Sequence, residues 1–503
     1  MGANLTAETL ELMKVAQSSP DPLIKSFVQP GTATTGVQAY NLEAPSKKLY
    51  PVDTPLRNSI ARVPGGYAIQ ANWKAITNIN VQNVRAGVSE GNRGGVINHA
   101  LTENFAAFRG FGLENSVNFE ANYASKNFED VKALAVEQSL AALMVQEERL
   151  ILGGNTSVAM GQTATPAATG LTTGGTIAGG TYSLIAVALG LQAYIDVVGV
   201  NNGSSGQYFS AATASVPGQI TRTNAGGSTD SFGGGSAQPS AAQSVTVGAT
   251  SAGSINASVT PTNGAVGYAW YLGTAGAEKL VAVTSVNSAT LTALPAPTAQ
   301  LASSLGAADH STSALDFDGL LYQAFKPGSN AYINTLPTGN SGLTADGAGG
   351  IADFEQAFVN FYNKFRLSPT VVYVSSQELV NITKKIVANG GAPLLRLTTG
   401  AENPGTISAG LVVGEYLNKV TGTKVALRVH PNMPAGTILF YTEKLPYPLS
   451  NVSNVTQMLM RQDYYQLEWP LVSRKYEYGV YADGVLQCYA PFSLGVINNI
   501  ANA

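Results

Sequence analysis

The side chains that could do chemistry in this chain are few and far apart. There are three histidines, His99, His310 and His430, and a single cysteine, Cys488. No HExxH, CxxC or EF-hand spacing gathers them, so no dedicated metal site is expected. No GxxxxGK[ST] motif occurs, and the glycine-rich tracts do not follow a strand and open a helix as a phosphate loop requires. Glu147-Glu148 is the one adjacent carboxylate pair read as possible acid/base machinery. Its position in a long helical pattern makes it the solvated side of that helix instead. His430, beside Pro431, reads as a strand-end residue, and Cys488 in Val485-Leu-Gln-Cys-Tyr-Ala as a buried thiol. We therefore expect no catalytic, metal or cofactor-binding residue, no cofactor and no enzymatic activity.

Composition points the same way. The chain has 503 residues, enough for two or more domains, yet only 12% are charged and 54 are glycine. A net charge of −3 gives no pull toward nucleic acid or anionic membrane. One cysteine excludes an intrachain disulfide framework. The first residues, Met1-Gly-Ala-Asn-Leu-Thr-Ala-Glu, lack a basic region followed by an apolar core, so no secretory signal is read. No apolar run approaches the roughly 20 residues of a membrane span.

With chemistry absent, the elements themselves become the message. Tyr67 to Gln82 is rich in strand formers, and Phe105 to Ala121 returns with apolar/polar alternation in its second half. The tip between them, Asn83 to Asn98, carries Arg85, Glu90 and Arg93. An isolated two-stranded hairpin is marginal in water, so such a finger must rest on something. Arg85, Glu90 and Arg93 are the candidate intersubunit contacts. A long helix follows, with Asn127 as its expected cap, Phe128, Val131, Ala135, Leu140, Leu143, Met144 and Ile151 as its apolar face, and Gly153-Gly154 as its stop.

Residues 1–60 read as an arm: a short helix containing Leu5, Leu10, Leu12 and Val15, then a proline-rich extended segment through Pro30, Pro45, Pro51 and Pro55. After Gly154 charge nearly vanishes, and short strands recur around Tyr268-Ala-Trp-Tyr271. This pattern predicts a β-sandwich over 165–300, similar to an immunoglobulin-like module without its disulfide. Beyond 311, Ile351 to Arg366 is an amphipathic helix with Phe354, Phe358, Phe361 and Phe365 on one stripe, ended by Pro369. Thr370 to Val374 is a buried strand, and Ser375-Ser-Gln-Glu378 a capping box. Strand patterns close the chain.

The order of extended loop, return strand ending Val117-Asn-Phe-Glu-Ala121, long helix, helix–strand–capped helix, and the closing Tyr476-Glu-Tyr-Gly…Pro491-Phe-Ser-Leu-Gly-Val-Ile497 resembles the HK97-like major capsid proteins of tailed double-stranded DNA bacteriophages. The resemblance covers roughly 45–154 and 311–500. It implies an α+β chain: an N-terminal arm (1–60), an extended β-hairpin loop with peripheral-domain strands (61–125), a spine helix (126–154), an axial domain (311–430) and closing strands of both domains (431–503). The inserted sandwich lies between, exposed outside.

The implied function is self-assembly into hexamers and pentamers of an icosahedral shell around double-stranded DNA, in the virion, after assembly in the host cytoplasm. Finger and arm would each lie on a neighbour. A portal protein and separate scaffolding and decoration proteins are the implied partners, with no membrane and no sequence-specific DNA contact. Some capsids of this family fuse subunits through a lysine on the loop. Here the nearest, Lys74, sits at the finger's base, so noncovalent contact alone is expected. An encapsulin-like compartment and a surface or tail adhesion protein remain the alternatives.

Overall fold

The computed structural model describes residues 46–79, 85–126, 128–200, 209–210, 215–339, 342–388, 396–397, 407–408 and 412–501. The helix expected near the amino terminus, the Asn127 cap and Asn83 of the tip lie outside them. The chain is α+β. A short helix α1 (Pro55–Ser59) leads to β1 (Ala61–Pro64), then β2 (Gln70–Asn78) and β3 (Ala100–Ala107), which among the described residues pair only with each other. β4 (Arg109–Asn118), α2 (Phe119–Ala124) and the spine helix α3 (Val131–Gly153) follow.

The return arm of the hairpin is thus split. Phe108, buried, donates its amide to Ile69 O at 3.0 Å and closes the finger, and the chain then leaves for another sheet. Finger arms of nine and eight residues span about 30 Å at roughly 3.3 Å per residue. The alternating half of the return arm is β4, which lies beside β23 (Lys475–Cys488). With β22 (Thr456–Glu468) and β1 they form a sheet in the order β1-β22-β23-β4. Two glycines make this pairing possible. A Cβ at Gly112 or Gly479 would lie 2.1 or 2.3 Å from the Tyr481 ring, which lies flat across both strands.

The spine helix packs against β4 and β23. Asp130 caps it, accepting from the amides of Lys132 at 3.0 Å and Ala133 at 3.3 Å. At its other end the chain enters residues 167–291, where the expected strands form two antiparallel sheets. One is ordered β10-β6-β12-β13-β7, with β6 (Gly180–Leu189), β7 (Phe209–Ser210), β10 (Gln243–Val247), β12 (Gly267–Gly273) and β13 (Lys279–Thr284). The other is β14-β11-β5, with β5 (Ala167–Leu171), β11 (Ser254–Ser258) and β14 (Ser288–Leu291). Trp270 is fully buried on the central strand β12, its indole donating to Thr284 Oγ1 at 2.9 Å. The glycine-rich stretch turns a hairpin, β8 (Gln219–Thr223) with β9 (Thr229–Gly233), tied by Arg222 and Asp230 at 3.0 Å.

In an immunoglobulin domain the tryptophan strand pairs with a strand that follows it. Here β12 lies between β13, which follows it, and β6, which precedes it, and the second pairing departs from that order. Nor is the sandwich a bead on a string. Trp270, Leu272 and Val283 belong to one continuous apolar cluster with Leu56, Ile151, Phe108, Met458 and Leu486 of the surrounding parts. Its entry and exit are stapled together: Gly319 N donates to Gly154 O (2.8 Å), Ser313 N to Asn155 O (2.8 Å), and Asp318 accepts from the amides of Thr156 and Ser157 (2.8 and 3.0 Å).

The last part is a mixed sheet, β15-β24-β21-β16-β20-β19. Its strands are β15 (Tyr332–Thr335), β16 (Val371–Val374), β19 (Glu415–Leu417), β20 (Lys424–Val429), β21 (Ile438–Tyr441) and β24 (Gly495–Asn498). The helix Ala352–Phe365 buries Phe354, Phe358 and Phe361 in a second cluster with Val372, Val374 and Phe440. Phe365 is only half-buried and stacks on Phe492. Arg366, at φ 52°, ends this helix before Pro369 is reached. Ser375 Oγ caps the next helix, Ser376–Ala388, through the Glu378 amide (3.1 Å), but the Glu378 carboxylate turns to Gly436 instead of closing the box.

Candidate functional site

Two regions carry the polar and apolar groups whose placement is out of the ordinary. The first is buried. Glu147 and Glu148 have no exposed surface at all, contrary to the expectation of a solvated face. The reason is register: Ala135, Ser139, Leu143, Glu147 and Ile151 follow one another at i, i+4 and are all buried. That spacing was the available signal, overridden by the charge of the two residues.

Their partners come from distant stretches of chain. Glu148 accepts the amides of Leu56 (2.8 Å) and Arg57 (2.7 Å), the otherwise orphaned donors at the start of α1. A carboxylate there also meets the positive end of the peptide dipoles. The same carboxylate takes His430 Nε2 at 2.6 Å, while His430 Nδ1 accepts from the Asn432 amide at 3.1 Å. An acceptor Nδ1 fixes the proton on Nε2, so the imidazole is neutral and donates to Glu148. His430 follows directly on the last residue of β20, a strand-end residue as expected, and it is also a buried latch.

Glu147 accepts from Arg57 Nε at 3.2 Å, from Arg62 Nη1 at 2.5 Å and from the Tyr464 hydroxyl. Arg62 also grips Asp463 through Nε and Nη2, at 2.6–3.2 Å. Its guanidinium lies 4.7 Å from the Tyr464 ring centroid. Burial, then the Glu147 charge, pushes the Tyr464 phenol up to about 12. The Arg62 hydrogen bond holds Asp463 below its ordinary range. Three carboxylates thus face two guanidiniums, and the helix amides and His430 N–H supply the rest of the compensation. Every member is already partnered, so the cluster offers no free acid, base or ligand. It fastens residues 54–64, the spine helix, β22 and β20 to one another. Lys48 reaches Glu137 further along the same helix.

The second region is the finger. Across β2 and β3, Ile76 faces Leu101, Lys74 faces Glu103 (2.7 Å) and Asn72 faces Phe105. This face is exposed, Phe105 by 67%. The opposite face is half-covered near the base, where Trp73 meets Tyr489 edge-on at 6.0 Å. Further out, Ile79, Val88, Val96 and Ile97 are exposed, Val96 by 96%. Arg85, Glu90 and Arg93 are all exposed and no ion pair among the described residues engages them, nor does the structure bring the three together into a site. Contrary to the expectation that a Gly-x-Ser-x-Gly elbow is lacking, Gly87-Val-Ser-Glu-Gly91 has that spacing. Its Ser89 sits on an exposed turn, hydrogen-bonded to Asn92, and not on the strand-to-helix bend that an elbow requires.

The remaining candidates are inert. Burial pushes the Cys488 thiol up to about 11, and His99 is exposed on the finger. Among the described residues no group of three or more metal-ligating side chains occurs, and no helix is long and apolar enough to cross a membrane.

No family model and no curated protein sequence matches the chain. Among solved structures it is similar to the capsid of Myoviridae phage XM1, at 9% identity and a TM-score of 0.39, covering 92% of this chain and 97% of that one. It is similar to the capsid of the native GTA particle at 8% identity and a TM-score of 0.41 (94% and 100% covered). The cyanophage A-1(L) capsid gives 9% identity and a TM-score of 0.41 (93% and 98%).

Proposed function

We propose that this chain is the major capsid protein of a tailed double-stranded DNA bacteriophage, with the HK97-like fold. Copies assemble into hexamers and pentamers of an icosahedral shell, and the finger of each lies on its neighbour. The observation that carries this reading is the finger itself. It projects about 30 Å with Phe105, Ile76, Leu101 and the tip residues uncovered, while the rest of the subunit packs two continuous cores. Burying exposed apolar surface at about 25 cal/mol per Å² favours association, and a two-stranded ribbon gains its rigidity only from a support. A second copy of the chain supplies both.

The mechanism is geometric. The Glu147–Glu148 cluster holds the base of the arm, spine and both sheets as one rigid piece, so the finger is presented in a fixed direction. Tip charges on Arg85, Glu90 and Arg93 then select register at the seam. The sandwich at 165–300 faces outward in this reading, and portal, scaffolding and decoration proteins are the further partners. Electron micrographs of the purified full chain, alone and with phage components from an infected cell, test the proposal. Closed shells of hexamers and pentamers are expected; a uniformly monomeric protein at high concentration contradicts it.

A further inference from the structure

A second buried polar cluster lies where the sandwich meets the mixed sheet, and its members are not all partnered. Glu378 is fully buried, and only its Oε1 is engaged, by Gly436 N at 3.0 Å and Asn381 Nδ2 at 3.4 Å. Glu378 Oε2, Ser285 Oγ, Asn287 Oδ1, Thr437 Oγ1 and Asn498 Oδ1 are buried without a hydrogen-bond partner. Glu378, Ser285 and Thr437 meet at the turn that holds Gly436. Gly436 donates to Glu378 and accepts from Ile500 N at 3.1 Å, and Ser285 Oγ lies 3.3 Å from where its Cβ would be. Ile438 pairs with Ile497 in antiparallel register, which sets Thr437 beside Asn498. Asn287 takes Asn499 Oδ1 on its amide at 2.8 Å, tying the sandwich to the carboxy-terminal strand.

Unpaired buried oxygens cost free energy unless water or a proton satisfies them. An internal water needs two to four polar partners, and Glu378 Oε2, Ser285 Oγ and Thr437 Oγ1 belong to residues beside Gly436. A cation would need more than one carboxylate's worth of charge to leave water, and only Glu378 supplies any. We propose that Glu378 holds a proton within a water-filled joint at Gly436, and that losing this proton loosens the sandwich against the mixed sheet. The surroundings suit a neutral carboxyl. The turn Met433–Thr437, the segment Thr284–Asn287 and the strand Gly495–Ile500 contain no titratable side chain. The nearest on β16, Tyr373, sets its ring against His430, and β20, which packs on the Glu378 helix, carries Lys424, paired with Glu415 at 2.9 Å, and Arg428, paired with Glu443 at 3.8 Å. On Glu378's own helix the next charges, Lys384 and Lys385, are about two turns away. Burial pushes the carboxyl up to about 7, against the pull of the Gly436 and Asn381 hydrogen bonds.

The sign follows from linkage. An acid whose folded value is raised stabilises the fold fully below its unfolded value, and that contribution is lost as pH rises to the folded value. Here the window runs from about 4.5 to about 7. The test is thermal unfolding of the full chain from about pH 5 to about pH 8, beside Glu378→Gln. The wild type is expected to lose several degrees of melting temperature across this range, and the variant to lose less, keeping only the fall below about pH 6 that Asp316, raised to about 6, also gives. Equal slopes for both overturn the proposal. Should the variant not fold, infrared spectra of the wild type decide. An un-ionised carboxyl band that persists above the range of Asp316, raised to about 6, supports the proton; its absence contradicts it. A solvent peak touching Glu378 Oε2 in a high-resolution map is expected, and a dry site there is equally contradictory.

Discussion

The anchor around Glu147–Glu148 and the finger around Phe105 invert the usual arrangement of a soluble protein in opposite ways. The anchor takes charges out of water and satisfies each one inside the subunit. The finger puts aliphatic and aromatic side chains into water and satisfies none. A fully partnered buried cluster contributes to one subunit's integrity. An unpartnered apolar ribbon contributes only when another surface arrives. Mutations in the two regions should therefore separate folding from association.

The largest effect on the subunit should come from Glu148→Ala. It strands the amides of Leu56 and Arg57 and the donor of His430 at once. Breaking such a buried network costs about 3–5 kcal/mol, so denaturant titration should show a clear fall in midpoint or loss of soluble protein. An unchanged midpoint would mean that the cluster is not the anchor. Next in size, the pair Leu101→Ser with Phe105→Ser removes exposed apolar surface. Subunit stability should stay within about 0.5 kcal/mol. The concentration needed for assembly, read by light scattering, should rise tenfold or more, since about 1.4 kcal/mol per contact is a factor of ten. A drop in subunit stability instead would show that this face packs within its own chain.

The smallest effects belong to Arg85→Ala, Glu90→Ala and Arg93→Ala. Exposed pairs contribute about 0–1 kcal/mol, so each should shift assembly slightly and make it less sensitive to salt. Any one of them abolishing assembly would move the tip from a register device to a principal contact.

How much of this could be read in the sequence depended on whether partners were local. The finger, the spine helix and the short strands around Trp270 follow from periodicity within a few residues. The split of the return arm does not. Arg109–Asn118 alternates the same way in a free hairpin or beside β23, and only pairing with residues 475–484 decides. The same is true of β6 beside β12, which sets the strand order of the sandwich. Glu147 and Glu148 looked solvated because their partners lie about 90 residues before them and, for His430, 282 residues after. Arg85, Glu90 and Arg93 were legible as tip residues, since Gly87, Gly91, Gly94 and Gly95 interrupt any strand around them.

The most direct measurement is on a chain whose finger beyond Ile76 and Leu101 is replaced by a two-residue Asn-Gly turn. Its unfolding midpoint and its assembly should be recorded side by side with the intact chain. The expected result is an unchanged midpoint, because the anchor and both cores are intact, together with complete loss of closed shells in electron micrographs. Normal shells formed without the finger would contradict the account.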